Sequence, residues 1–434
     1  MAEVKPFIAT SYNQEKVGNL ADVICPPYDV VSPSEEIALY QKNPYNFIRL
    51  EKAQPEFEDA NRDDRYIRTK SLLNRWLDEA ILVKNRTPAI YLHDHFFSFK
   101  GKEYLRRGLM ATVRLEEWNK MIIRPHEGTL AAPKADRIRL LSTLKANTSP
   151  VFALYEDRGQ KIPPLVERER RKKPIINTTL ENGERHIVWE ITDAELLNKL
   201  NSFFNDRPLY IADGHHRYES ALVYKREQEA LLRSTTGQES FNFVLMTLVD
   251  MADSGLLILP PHRLLCLRSL SSAEHLRRGL EKFFDARSIA YNPFIWDEVD
   301  KMFARDEANL AIYGLNDNLL YLLGVKDYAA IEKLMPHFHS EIYKKLDVAI
   351  VDHVILGEIL GVKDSDPNID IAFRYDREDA LRRVIDGEYQ LAILLRPPKI
   401  EDIKAIADAG DQMPRKSTYF YPKLPSGLVF YYFG

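Results

Sequence analysis

Leu209-Tyr-Ile-Ala-Asp-Gly-His-His-Arg-Tyr-Glu-Ser-Ala-Leu222 decides how the chain is read. The apolar run that opens it has strand character. It breaks at Asp213-Gly214 into a helix-forming sequence whose first residues are His215, His216 and Arg217. A helix start presents backbone N–H groups without intrahelical partners and the positive end of the helix dipole. Arg217 adds a permanent charge, and Gly214 lets the backbone turn and approach a ligand closely. Phosphate or carboxylate suits such a place. The plainer alternative has Asp213 capping a helix and Arg217 in solvent, but a cap does not need a Gly-His-His-Arg run behind it.

Working outward, 434 residues are too many for one small core and predict two or three packed subdomains. With 45% apolar and 29% charged residues the composition is that of a globular protein. A net charge of −4 gives no global basic field, which disfavours nucleic acid as the main partner and favours small molecules. No leader-like start and no apolar run of membrane-spanning length is seen, so a cytoplasmic protein without membrane attachment is expected. Cys25 and Cys266 are too few for a disulfide framework or a cysteine zinc site.

Three regions are expected: 1–108, 109–265 and 266–434. The first holds helical periodicity from Ile67 to Leu82 and a strand from Ala89 to Phe99 that ends at Lys100-Gly101. The middle region carries the densest polar groups. The last alternates strand (Ile369 to Arg374), helix (Glu378 to Ile385), strand (Gln390 to Leu395) and helix (Ile400 to Ala409), an α/β pattern. The whole is expected to be α+β with a mixed sheet.

Four further clusters bear on chemistry. In Ile122-Ile-Arg-Pro-His-Glu-Gly-Thr129, Glu127 stands after a β-branched run and a proline, as a strand-end base would, with His126 beside it. Alternatively Glu127 and Thr129 cap a helix from Lys134 to Leu144, and His126 packs against a loop. His262 and Arg263 follow an apolar run and are weak substrate-binding candidates, as are Tyr28 and Asp29 in the rigid turn Pro26-Pro-Tyr-Asp29. In the tail, Lys416, Ser417, Thr418 and Lys423 offer ammonium and hydroxyl groups to phosphate oxygens. The same stretch also reads as an edge strand whose Tyr419, Phe420 and Tyr421 pack on the core.

Taken together, Cys25-Pro-Pro-Tyr-Asp29, Pro125-His-Glu127, Asp213-Gly-His-His-Arg217 and Lys416-Ser-Thr-Tyr-Phe-Tyr-Pro-Lys423 resemble the prokaryotic family catalogued as domain of unknown function 1015. The Pro125-His-Glu127 and Asp213 to Ala221 motifs are similar, more distantly, to the signature of the ParB and sulfiredoxin superfamily, which includes kinases of free serine. The resemblance implies a nucleotide-binding core of that kind at 109–265, embedded in additional N- and C-terminal α/β regions. It implies Glu127 as the base that activates a serine hydroxyl, with His126 beside it. Gly214, His215, His216 and Arg217 become the phosphate cradle; Asp213 at its head and Lys416, Ser417 and Thr418 of the tail stand beside them as phosphate-binding candidates on their own chemistry.

Phosphoryl transfer needs positioning and charge neutralisation more than covalent chemistry, and this residue set suits it. A nucleotide-dependent kinase of a small hydroxyl amino acid is therefore expected, using ATP or ADP with Mg2+ held mainly by phosphates and by Asp213 or Asp29. Two alternatives stand beside it. One is a nucleotide-gated binding module of the ParB kind, for which no helix-turn-helix region or basic tail is evident. The other is a metal-dependent hydrolase or phosphatase using His126, His215, His216 and His262, but adjacent helix-start histidines diverge around the axis, and no resident metal site is expected.

Overall fold

The computed structural model describes residues 2–55, 61, 63–267, 273–315, 317–362 and 369–434. The chain forms two compact units: 1–125 with 129–257 and 422–434, and 126–128 with 258–421. The expected boundary after residue 108 falls inside the long strand Lys102–Arg114, and the one after 265 inside strand His262–Leu267. The first two expected regions thus share one sheet, because a strand cannot be divided without losing its ladder of hydrogen bonds.

That sheet of the first unit is mixed and nine-stranded. Its order is Ile123–Arg124, Leu209–Asp213, Val151–Tyr155, Phe243–Asp250, Lys102–Arg114, Ile90–Phe99, Arg185–Ile191 and Ile176–Thr179, with Val4–Lys5 added on Lys102–Arg114. Leu209–Asp213 runs parallel to Ile123–Arg124, and Phe243–Asp250 parallel to Val151–Tyr155. The expected strand at Ala89 to Phe99 is present. Its reversal uses Lys100 and Gly101, both at positive φ (50° and 75°), the conformation that tight hairpins demand.

Successive strand residues point to opposite faces, and both faces are covered. Ile90, Leu92, Leu109, Ala111 and Val113 belong to one core with helices Ile162–Arg170 and Ala194–Phe204. Tyr91 and Met110 join a second core with helix Asp64–Asp78, through Tyr66, Leu73 and Trp76. This helix stops at Asp78, short of the Leu82 expected. Ala80 takes φ 52°, and Leu82–Lys84 is already a strand.

In the second unit a six-stranded antiparallel sheet runs Phe284–Ala290, Leu319–Val325, Leu310–Tyr313, Leu391–Leu395, His262–Leu267, Ile369–Arg374. Its strands Ile369–Arg374 and Leu391–Leu395 and the helices Arg377–Ile385 and Ile400–Asp408 fall where the alternating pattern placed them. Trp296, Val299 and Met302 of helix Trp296–Ala304 pack with Leu264, Ala392 and Leu394 in its core.

Candidate functional site

Strand Leu209–Asp213 and helix His215–Leu231 meet at Gly214, the helix N-cap, at φ 89° and ψ 28°. The register against Val151–Tyr155 shifts between Ile211 and Asp213, so a bulge loosens the strand just before the turn. A Cβ on Gly214 would lie 2.8 Å from Arg217 Nε and 3.0 Å from the guanidinium carbon. The glycine is thus required twice, for its left-handed backbone and for the room it leaves the arginine.

Asp213 is held by two cations. Arg217 Nη2 donates to Asp213 Oδ2 at 2.5 Å, and Lys423 Nζ donates to Asp213 Oδ1. The three side chains are 15%, 10% and 12% exposed in the order Asp213, Arg217, Lys423. Burial alone would push the Asp213 carboxyl up, but the Lys423 and Arg217 charges outweigh it and hold it well below the usual carboxylate range. Arg217 Nη1 donates to the Pro150 carbonyl at 2.5 Å, while its Nε is buried without a hydrogen-bond partner. Asp29 acts electrostatically on both Arg217 and Lys423, so the Pro26 to Asp29 turn belongs to this neighbourhood. Burial pushes the Tyr28 phenol up to about 12, against the pull of Arg137, whose guanidinium lies 3.8 Å from the ring centre.

The two histidines diverge, as adjacent helix residues must. His215 is buried and its field lowers Asp213. His216 Nε2 accepts from the Leu130 N–H at 2.9 Å, which satisfies the first turn of helix Ala131–Leu144. The N-cap of that helix is Leu130, which makes no side-chain cap bond, and not Glu127 or Thr129. The Thr129 hydroxyl donates instead to Glu219.

In the second unit, Glu127 forms a parallel bridge with Met413, and the Lys416 N–H donates to Glu127 Oε1 at 3.3 Å. His126 Nε2 lies 3.0 Å from the Thr418 hydroxyl. Ser417, buried, gives its hydroxyl proton to the Pro414 carbonyl. Tyr419–Tyr421 is a strand with Phe420 buried, so the tail takes the packed form while presenting the Lys416 to Thr418 turn beside Glu127. His262 Nδ1 accepts from the Leu395 N–H at 3.1 Å. Arg263, 1% exposed, donates to Pro261 O at 2.8 Å and Asp352 Oδ1 at 3.2 Å. Both serve the sheet of their own unit.

A cluster that sequence reasoning did not single out lies on the sheet of the first unit. His93 and His95 share a face of Ile90–Phe99, with His186 directly across from His95 on one side and Arg106 on the other. His93 Nε2 and His186 Nδ1 are 3.1 Å apart, and His95 Nε2 is 2.8 Å from Glu184 Oε2. Arg106 Nη2 donates to His95 Nδ1 at 3.1 Å and to the Pro422 carbonyl at 2.7 Å, next to Lys423. His95, Glu184 and His186 are the one group among the described residues spaced as metal ligands, and it contains none of the four histidines expected of a metalloenzyme. Arginine only donates, so His95 Nδ1 accepts and the ring proton sits on Nε2, where Glu184 takes it. A metal would have to displace that proton beside a buried guanidinium. The hydrogen bonds form two sets, His93 with His186 and Arg106 with His95 and Glu184. The sequence signal for it was His-x-His within an apolar strand, two polar residues on one face.

A model of the family described as protein of unknown function, DUF1015, matches residues 4–349. The chain belongs to that family. No curated protein matches it. Among solved structures it is similar to a free serine kinase in complex with AMP, at 12% identity and TM-score 0.37, covering 74% of this chain and 92% of that one. It is similar to a mutant free serine kinase in complex with ADP at 11% identity, TM-score 0.37, 74% and 92%. A conserved hypothetical protein from Pyrococcus furiosus stands at 11% identity, TM-score 0.37, 74% and 94%. Likeness of this degree leaves the chemistry of the DUF1015 chain to its own residues. No helix among its described residues is long and apolar enough to cross a membrane.

Proposed function

We propose that this DUF1015 protein is a nucleotide-dependent kinase of a small hydroxyl-bearing amino acid such as serine. The observation that carries the reading is the Gly214 turn. A left-handed glycine opens a seventeen-residue helix, with the Arg217 guanidinium and Lys423 ammonium gathered at its start around one carboxylate. Two cations converge on Asp213 at that start, and the positive end of the helix dipole adds to them, which favours phosphate oxygens. Each cation is anchored in advance by Asp213, so binding phosphate need not order a long side chain.

In this reading Gly214, His215 and Arg217 hold phosphate, and Lys423 joins them. His216 supports the neighbouring helix. Lys416 and Thr418 serve Glu127 and His126, and Ser417 holds the tail turn. Glu127 takes the acceptor hydroxyl proton while the hydroxyl oxygen forms the new P–O bond and the bond to the leaving nucleotide oxygen breaks. Both Asp213 oxygens are occupied by Lys423 and Arg217, so a magnesium ion arriving with ATP or ADP would find its carboxylate ligand in the exposed Asp29 rather than in Asp213. Such an ion would neutralise phosphate charge.

The test is calorimetric titration of the full chain with ATP and ADP, followed by an assay of phosphate transfer to serine, threonine and homoserine. Arg217→Lys, which keeps a charge but loses the fork to Asp213 and Pro150, should bind nucleotide more weakly by about 1.5–3 kcal/mol. Unchanged affinity would remove Arg217 from the phosphate site. Absence of transfer to every hydroxyl amino acid would remove the substrate assignment.

A further inference from the structure

At the end of the sheet opposite the Gly214 turn, two parallel strands of the first unit finish side by side. Val151–Tyr155 and Phe243–Asp250 are in register with Asp250 across from Tyr155, and the first continues through the loop 156–161 into helix Ile162–Arg170. Asp157 of that loop is 4% exposed. Its N–H donates to Asp250 Oδ1 at 3.2 Å and its Oδ2 accepts the Ile162 N–H at 2.8 Å, while its Oδ1 is buried without a hydrogen-bond partner. Asp250 Oδ1 also accepts the Ala252 N–H at 3.2 Å, and its Oδ2 accepts from Gln160 Nε2 at 3.1 Å. Burial raises the Asp250 carboxyl above its usual range, and the Asp157 charge raises it further. Both charges bear on the buried Tyr155 phenol as well, so the two carboxylates share one neighbourhood.

Among the described residues no lysine or arginine pairs with either carboxylate. The loop's Arg158 is taken by Glu156 at 2.9 Å, and Lys161 is exposed. A buried carboxylate that no cation answers, set beside a second carboxylate, opposes folding. A hard divalent cation removes the conflict, because it takes carboxylate and amide oxygens together. We infer that Asp157 Oδ1, Asp250 and the Gln160 side chain form a calcium site, with water completing the shell. The site does not depend on the nucleotide reading. In the His95, Glu184 and His186 group three histidine or carboxylate side chains converge, whereas here two carboxylates are joined by an amide. Rotation of the Gln160 amide by half a turn offers Oε1 in place of Nε2. Calcium suits an irregular set of oxygens on a loop better than magnesium, which demands a near-ideal octahedron and dehydrates reluctantly. The loop also forms one wall of a cavity of about 480 Å3, and the ion fixes that wall.

The experiment is calorimetric titration of the full chain, stripped with EDTA and free of nucleotide, with calcium chloride and separately with magnesium chloride, alongside thermal melts. Calcium should bind more tightly than magnesium and raise the melting temperature by roughly 3 °C or more at tenfold excess over its dissociation constant. Asp157→Asn keeps an acceptor for the Ile162 N–H and should weaken calcium roughly tenfold or more, with the metal-free melting temperature held or raised. Gln160→Glu, at an exposed position, supplies a third carboxylate and should tighten calcium roughly tenfold, and it is read in place of Asp157→Asn should that variant fold poorly. Failure of wild type to bind calcium, binding indifferent to both changes, or a response lost in Asp29→Asn and kept in Asp157→Asn would overturn the inference. Tighter binding of magnesium would overturn the calcium assignment.

Discussion

Lys423 pairs with Asp213 across 210 residues of sequence, and the pair is completed by Arg217 one helical turn beyond the glycine. A buried carboxylate between two cations is stable only while charged. Asp213→Asn keeps the shape but leaves Lys423 and Arg217 facing one another, at a cost of about 3–5 kcal/mol, the range for removing one member of a buried pair. Because the folded carboxyl titrates below the unfolded one, the contribution is fully present above the ordinary aspartate range, near pH ~4, and is lost as pH falls below it. Melting temperatures from pH 7 to 3 check this. The gap between wild type and Asp213→Asn should narrow only at the acid end, and a gap independent of pH would refute the charged triad.

Gly214→Ala should cost stability twice. A left-handed backbone is unfavourable by roughly 1–2 kcal/mol for a residue with a Cβ, and that Cβ presses on Arg217 Nε. Displacing the guanidinium should weaken nucleotide binding beyond what Arg217→Lys does. Thermal melts and ADP titration decide it, and an Ala variant as stable as wild type would mean the turn relaxes freely.

If Glu127 is the base, Glu127→Gln should lower turnover by roughly 10²–10⁴-fold while melting temperature and nucleotide affinity hold. Its carboxylate accepts the Lys416 N–H, which glutamine can also do through its carbonyl oxygen, so the tail turn should survive the change. A fully active variant of reduced stability would assign Glu127 to structure.

The His93, His95 and His186 rings are held neutral. Burial pushes each below the usual histidine range; Arg106 adds to it for all three, neighbouring rings add to it for His93 and His186, and Glu184 opposes it only for His186. As pH falls through ~6.5 the unfolded chain takes protons that these rings refuse, so stability should decline with acid. The slope is at most about 1.4 kcal/mol per pH unit per ring. Denaturant unfolding at pH 7.5 and 5 should show this loss. Gln at both His93 and His186 should flatten it, and an unchanged slope would exclude these rings as its source.

The turn at Asp213-Gly214 was legible because a strand run, a glycine and a cation at helical spacing are all local. The same holds for strand Ile90–Phe99 and for the alternating elements after Ile369. What was not legible is long-range. Nothing near Lys423 marks it as the partner of Asp213, since the burial that makes the pair strong is created by the sheet. Helix Asp64–Asp78 was drawn too long because Leu82 keeps the apolar phase after the backbone has turned at Ala80. Arg106 was invisible for a related reason: one arginine of an Arg-Arg pair in an apolar strand is exposed or sealed according to which face the register assigns. Its guanidinium, brought down to about 10 by burial, lies under the Pro422 carbonyl.

Synthesis order gives the Lys423 to Asp213 pair a second meaning. A ribosome reaches Lys423 on the order of ten to forty seconds after Asp213, at roughly 5–20 residues per second. Throughout that interval the nascent first unit carries Asp213 with Arg217 alone, and the Arg106 guanidinium waits for the Pro422 carbonyl. Chains released early, before the tail is made, would lack a cation of the proposed cradle and the contact that seats it. The turn is thus closed only in copies that carry the Pro422-Lys423 segment.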